Sequence, residues 1–181
     1  MPQGTRRLSA ILFVDMVGYS ALSQRDEHLA LEYARELQAQ VRRQVGAHRG
    51  RVIKTLGDGV LAEFESALEA TECAVELQKE MYDSNATRQG PKLEARVGIH
   101  VGDVVREGDD VLGDTVNIAA RIEPLAEPMG VAISGTVFEQ VSSKIPYSAT
   151  RLEHAFLKNI DTPIAVYSLD LPWNAVPAAR I

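Results

Sequence analysis

The apolar positions of this chain change period several times, and each change marks an element boundary. Residues 8–14 contain the unbroken run Ala10-Ile11-Leu12-Phe13-Val14, the length expected of a strand covered on both faces. From 26 to 48 the pattern becomes helical. Leu29, Tyr33, Leu37, Val41 and Val45 recur every fourth residue, with Ala30 and Ala34 beside them and charges opposite. Ser23, three residues before Asp26, reads as a capping pair with it, and Gly50 as the stop. Residues 51–56 and 60–64 are strand-like and are joined by Gly57-Asp58-Gly59, a hairpin signal. A second helix is predicted over 66–85, with Ala70, Ala74, Leu77 and Met81 on one face, and Gln89-Gly90-Pro91 makes a turn. Leu93, Ala95, Val97, Ile99 and Val101 then alternate with polar residues or glycine, the period of a half-buried strand.

That βαββαβ order predicts an α+β fold with a ferredoxin-like core, whose first and third strands lie side by side and antiparallel. The end of the first strand, with Asp15, should therefore meet the start of the third, with Asp58. Beyond the core, a polar loop at 107–110 leads to a short helix over 114–123 that stops at Pro124. Strand-like pieces at 131–133 and 164–169, with a helix at 136–142 between them, extend the antiparallel-rich sheet as a C-terminal βα extension. A single domain over 1–181 is expected, with its core at about 8–170 and a tail at 171–181.

Composition narrows the reading. The chain has 181 residues, 45% of them hydrophobic but only 6% aromatic, so one core built from Val, Ile, Leu and Ala is expected. A net charge of -6 and a pI near 5.3 argue against binding along a nucleic-acid backbone. The lone cysteine, Cys73, lies in an alanine-rich helical run and reads as a small core hydrophobe. The N-terminal apolar run is broken by Asp15 and is too short for a membrane span, so a cytoplasmic protein without membrane insertion is expected.

Two aspartates converging at strand ends can hold hard cations, because Mg²⁺ takes oxygen ligands. Each alone reads more readily as a turn aspartate accepting from nearby N–H groups. Their convergence favours the cation, since like charges at close range repel unless a positive ion lies between them. After Asp15, Gly18, Tyr19 and Ser20 lead into a helix whose N–H groups can cradle phosphate oxygens. Asn117 and Arg121, one helical turn apart, project from one face, either as an ordinary polar surface or as a site for a sugar and a phosphoryl group. Lys54 offers only donors and Asp110 only acceptors; singly each reads as an ordinary surface charge, but if the two meet one purine edge they match the ring nitrogen and exocyclic amine of adenine. Guanine inverts both features. His28, His48, His100 and His154 show no metal-ligand spacing.

Taken together, 8–169 resembles the class III adenylyl and guanylyl cyclase catalytic domain. Four stretches carry the resemblance: Phe13-Val14-Asp15-Met16-Val17-Gly18-Tyr19-Ser20, Lys54-Thr55-Leu56-Gly57-Asp58-Gly59, Gly113-Asp114-Thr115-Val116-Asn117-Ile118-Ala119-Ala120-Arg121, and Leu157-Lys158-Asn159-Ile160 ahead of Pro163. The resemblance implies an adenylyl cyclase that converts ATP to cyclic AMP and pyrophosphate with two divalent cations, Mg²⁺ or Mn²⁺. It implies Asp15 and Asp58 as metal ligands, Lys54 and Asp110 as base-recognising residues, Asn117 and Arg121 as ribose-orienting and transition-state residues, and Lys158 at the triphosphate. It further implies a head-to-tail homodimer with shared sites, and regulation by a domain outside this chain. Where some relatives carry a basic residue after the glycine corresponding to Gly130, this chain has Val131, so triphosphate binding relies on fewer cations. A guanylyl cyclase would be expected to place an acid at Lys54 and a small polar residue at Asp110. A silent nucleotide-binding or dimerisation module would be expected to lack a metal aspartate or the Asn/Arg pair.

Overall fold

The structure, a computed structural model, describes residues 4–153, 157 and 163–174. At the centre of the sheet, β1 (Thr5–Met16) pairs antiparallel with β3 (Gly59–Phe64) on one side and with β4 (Ala95–Glu107) on the other. β2 (Arg51–Leu56) forms the predicted hairpin with β3 and lies at one edge, which gives the ferredoxin-like order β2-β3-β1-β4. β6 (Val131–Ser134) adds parallel to β4, β8 (Val166–Leu169) antiparallel to β6, and β7 (Ala149–Arg151) follows outside β8. β5 (Asp110–Leu112) folds back on the end of β4.

The two faces of β1 feed separate cores, as side chains alternating across a strand require. Ala10, Leu12, Val14 and Met16 pack under α2 (Glu27–Ala47) and α3 (Ala67–Asn85), whose apolar stripes are those predicted from the sequence, with Cys73 buried among them. Ile11 and Phe13 face the other way, toward Leu61, Val104, Val111 and Ala119 of α4 (Asp114–Ile122). Burial on both faces is why the strand reads as an unbroken apolar run. At the N-terminal end of the strand, buried Glu63 accepts from Ser9 Oγ at 2.9 Å and from Arg51 at 3.1 Å, and also pairs with Arg7. Burial opposes its ionisation, but these partners hold its pKa below the usual glutamate value.

Several boundaries differ from the sequence reading, each for a local reason. The cap of α2 is Asp26 alone, accepting from the Leu29 N–H at 3.0 Å, while Ser23 lies inside a separate short helix, α1 (Tyr19–Arg25). The left-handed residue after α2 is Arg49, with φ 61, and not Gly50. Gly50 is required instead by packing, because a Cβ there would fall 2.4 Å from the Phe64 ring. α4 ends at Ile122 and tightens into a 3-10 turn, Glu123–Leu125, that contains Pro124 near its start rather than beyond its end. β1 and β4 run longer than their apolar segments because they pair with each other from Thr5↔Arg106 to Met16↔Ala95, and main-chain pairing needs no apolar side chain. The predicted 136–142 helix is α5 (Gly135–Val141), capped by Ser134.

Glycine decides how α4 meets the sheet. A Cβ on Gly98 would fall 2.4 Å from the main-chain nitrogen of Glu123 and 2.6 Å from its Cα; one on Gly102 would fall 2.6 Å from Thr115 Oγ1. These two bare positions on β4 let both ends of the helix approach the strand directly, with Thr115 donating to the Asp103 carbonyl at 2.6 Å. Gly98→Ala is expected to destabilise the fold by about 1–3 kcal/mol in urea unfolding, because backbone must move to admit a methyl group. Gly46→Ala, in α2 with nothing within 4 Å of the added Cβ, is expected to be neutral or to stabilise by up to roughly 1 kcal/mol. Equal losses at the two positions would contradict this packing.

Candidate active site

Asp15 is the penultimate residue of β1, and the Val14↔Val60 register brings it beside the turn that opens β3. A Cβ on Gly59 would lie 3.2 Å from Asp15 Oδ1, and Gly57 takes a left-handed φ of 63, so the Gly57-Asp58-Gly59 turn both folds back and lets the acids approach. The Asp58 carboxyl is in hydrogen-bonding contact with Asp15. Burial first, and then that neighbour, push its pKa up to about 6, against the pull of the main-chain N–H groups of Asp58 and Met16. A third acid, Glu123, arrives from the end of α4 and is 7% exposed. Burial, the charge of Asp15 and a hydrogen bond with Asp15 raise its pKa to about 8, although Arg96 opposes the shift. Arg96 stands opposite Asp15 in the β1–β4 ladder and donates through Nε to the Ala126 carbonyl at 2.9 Å. No three His, Cys, Asp or Glu residues form a metal-holding cluster among the described residues. A cation here would therefore draw on the two aspartates and fill its sphere from water and ligand oxygens, as Mg²⁺ commonly does.

Lys54 reaches the Asp15 face because of a fault in the ladder. Val52 pairs with Ala62 but Lys54 pairs with Leu61, so Ile53 is an extra residue. Without that bulge Lys54 would oppose Val60 and point under the helices; with it, Lys54 shares the face of Leu61 and Ile11. There its Nζ donates to Asp110 Oδ1 at 3.1 Å and Oδ2 at 3.3 Å, across 56 positions of sequence. The main-chain N–H of Val111, and then Lys54, hold the Asp110 carboxyl below the usual aspartate value.

Thr115, Ala119 and Ile122 bury one side of α4, which leaves Asn117 exposed and Arg121 half-buried on another. Neither side chain bonds to a described residue. After Asp15, Gly18 takes a φ of 72 at the start of α1, Tyr19 packs partly against the core, and Ser20 is exposed. The Val17 N–H is already bonded to the Glu94 carbonyl at 2.8 Å, so free donors begin further along the turn. Lys158 lies outside the described residues, as does His154. His100 is buried, with Nδ1 2.8 Å from Ser134 Oγ, and burial lowers its pKa to about 4.

The profile of the adenylate and guanylate cyclase catalytic domain matches residues 4–170. The chain belongs to this family. This cyclase domain is 42% identical over 182 residues to the putative adenylate cyclase 3 of Rhizobium meliloti, covering 97% of this chain and 30% of that protein. It is 37% identical over 136 residues to an adenylate cyclase of Streptomyces coelicolor, covering 75% and 34% respectively. The chain thus spans about a third of the length of these curated relatives. Among solved structures it is similar to an adenylate/guanylate cyclase/hydrolase from Silicibacter pomeroyi, with TM-score 0.86, 36% identity and coverage of 93% and 99% of the two chains. It is also similar to the guanylyl cyclase Cya2, with TM-score 0.77, 25% identity and coverage of 96% and 98%. No helix among the described residues is long and apolar enough to cross a membrane.

Two members of this cyclase rim were not singled out from the sequence. Glu123, just before Pro124, looks like an exposed helix-end acid, and Arg96 looks like the polar partner in an alternating strand. The available signal was Gly98, a bare position in a strand, which marks close approach by another backbone.

Glu123 has a pKa of about 8 when folded against a usual 4.5. Between those values the fold binds more protons than the unfolded chain, so the associated stability is present below 4.5 and is lost as pH rises through 8. In metal-free protein, Glu123→Gln is expected to remove a fall of on the order of 1 kcal/mol per pH unit between about pH 7 and 8. Parallel slopes in urea unfolding of the two proteins would contradict it.

Proposed function

We propose that this chain converts ATP to 3′,5′-cyclic AMP and pyrophosphate, as a head-to-tail homodimer with two sites at its interface. One observation carries the reading: Asp15 and Asp58 are held in contact on a partly buried rim, an arrangement unfavourable to two charges until a cation joins them. The donor set fits hard divalent cations, and two ions, Mg²⁺ or Mn²⁺, would supply Lewis-acid charge at the phosphates and lower the pKa of the ribose 3′-hydroxyl.

The remaining roles follow from what each side chain can offer. Asp15 and Asp58 would hold the ions from one subunit, and Lys54, Asp110, Asn117 and Arg121 would complete the site from the other. Exposure supports that division, because Asn117 is exposed and the Lys54 and Asp110 side chains are 41% and 42% exposed. Lys54 would donate to the adenine ring nitrogen while Asp110 accepts from the exocyclic amine. Their ion pair supports this assignment, since it aims one donor and one acceptor at a common spot before the base arrives. Asn117 would orient the ribose, and Arg121 would stabilise charge on the α-phosphoryl group during in-line attack. Main-chain donors at Gly18, Tyr19 and Ser20, together with Lys158, would bind the triphosphate.

The adenylate cyclase names of the two curated relatives support ATP over GTP, and both base-facing residues agree. An acidic chain with a net charge of -6 is poorly suited to nucleic acid. A regulatory domain outside this chain is consistent with relatives about three times its length.

Purified protein incubated with Mn²⁺ and either ATP or GTP is expected to form cyclic AMP from ATP, with Asp15→Ala lowering the rate by at least about a hundredfold. Combining Lys54→Glu with Asp110→Cys is expected to reduce the preference for ATP by about tenfold or more. Nucleotide binding without turnover would contradict the enzymatic reading, and unchanged selectivity would contradict the base-recognition assignment.

A further inference from the structure

Gln78 is a buried polar residue on α3 that none of the roles above uses. It is fully buried, and its Nε2 donates to two main-chain carbonyls, Ala95 at 2.9 Å and Gly130 at 2.8 Å. Both acceptors are carbonyl oxygens, which fixes the amide orientation, since the reverse would set three oxygens together. Its Oε1 is left without a partner. An amide kept in an apolar interior with one orphaned end is a poor contribution to stability alone.

Its two acceptors open the parallel pair. Ala95 is the first residue of β4 and Gly130 immediately precedes β6, and each carbonyl also accepts one main-chain bond, from Met129 at 2.9 Å and from Val97 at 3.3 Å. Gln78 therefore bolts the first rung of β4 and β6 from the helix-covered face. Residues 94–97 are the segment through which the opposite face is assembled. Glu94 accepts from Val17 in the turn after Asp15, Ala95 pairs with Met16, and Arg96 pairs with Asp15 while binding the Ala126 carbonyl. The loop between is constrained: Met129 holds a φ of 67, and a Cβ on Gly130 would fall 2.8 Å from the Glu127 carbonyl oxygen.

We infer that Gln78 is a positioning residue for the acidic rim, acting through Ala95 and Gly130 to set where Asp15 and Arg96 stand relative to bound metal. The inference rests on the cyclase reading of that rim. Gln78→Met keeps the volume, removes both donors and relieves the orphaned oxygen, so a stability role alone predicts little effect. Mn²⁺ binding to the whole chain is read by electron paramagnetic resonance with a non-cyclisable ATP analogue present, alongside cyclic AMP formation from ATP. In Gln78→Met the Mn²⁺ concentration for half-saturation is expected to rise about tenfold, the scale seen when residues supporting metal ligands are lost, with ATP-over-GTP preference unchanged. Should the Met variant fail to fold, Gln78→Asn, one methylene too short to reach both carbonyls, gives the same comparison. An unchanged midpoint in a folded variant overturns the inference, even if the rate falls. Wild-type protein that binds Mn²⁺ but makes no cyclic nucleotide overturns the cyclase reading and leaves Gln78 to be judged by its midpoint. Wild type that binds no Mn²⁺ overturns both.

Discussion

Three carboxyl groups, of Asp15, Asp58 and Glu123, share one rim of a β-sheet, where burial and their mutual proximity disfavour charge on Asp58 and Glu123. Asp58 is pushed up to about 6 and Glu123 to about 8, with burial the largest cause for each and Asp15 the common neighbour. This crowding follows from the backbone. The β1–β3 register sets Asp15 beside the hairpin turn, glycine at 57 and 59 lets that turn close, and glycine at 98 lets α4 deliver Glu123 against the strand. Removing any of these would relax the repulsion by letting the three carboxyl groups move apart. The repulsion on this rim is built into the fold, and the proposed cations would relieve it.

The rest of the sheet is firm where the rim is strained. At the other end of β1, Glu63 is buried as a charge with two arginines and a serine, and its pKa falls below the usual value. Similar burial thus has opposite outcomes at the two ends, decided by whether the partners are cations or other acids. Between them, β1 presents apolar side chains to both faces, so the strand carrying Asp15 is fixed from above and below. On α4, Thr115 is tied to the Asp103 carbonyl, while the side chains of Asn117 and Arg121 lie on another side of the helix and bond to no described side chain or main chain.

Most of the scaffold could be read from periodicity. The 26–48 and 66–85 helices, the Asp-Gly hairpin and the alternating strand all survive, because each is long enough for its period to repeat. From them followed the meeting of Asp15 with Asp58. The ion pair of Lys54 with Asp110 agrees with complementary chemistry, although the bulge that turns Lys54 to that face leaves no mark in the residues themselves. Strands β5 and β7 and helix α1 are too short to show a period. Glu123 and Arg96 escaped notice because their importance lies in what packs beside them. Gln78 in an amphipathic helix looks like one more polar position until its two carbonyl partners are seen.

The most direct test is crystallographic. Crystals grown with Mn²⁺ and a non-cyclisable ATP analogue, measured near the manganese absorption edge, should show anomalous peaks between the Asp15 and Asp58 carboxylates, beneath the analogue's phosphates. Well-ordered analogue with manganese elsewhere, or with the two aspartates turned apart and no ion between them, would contradict the account.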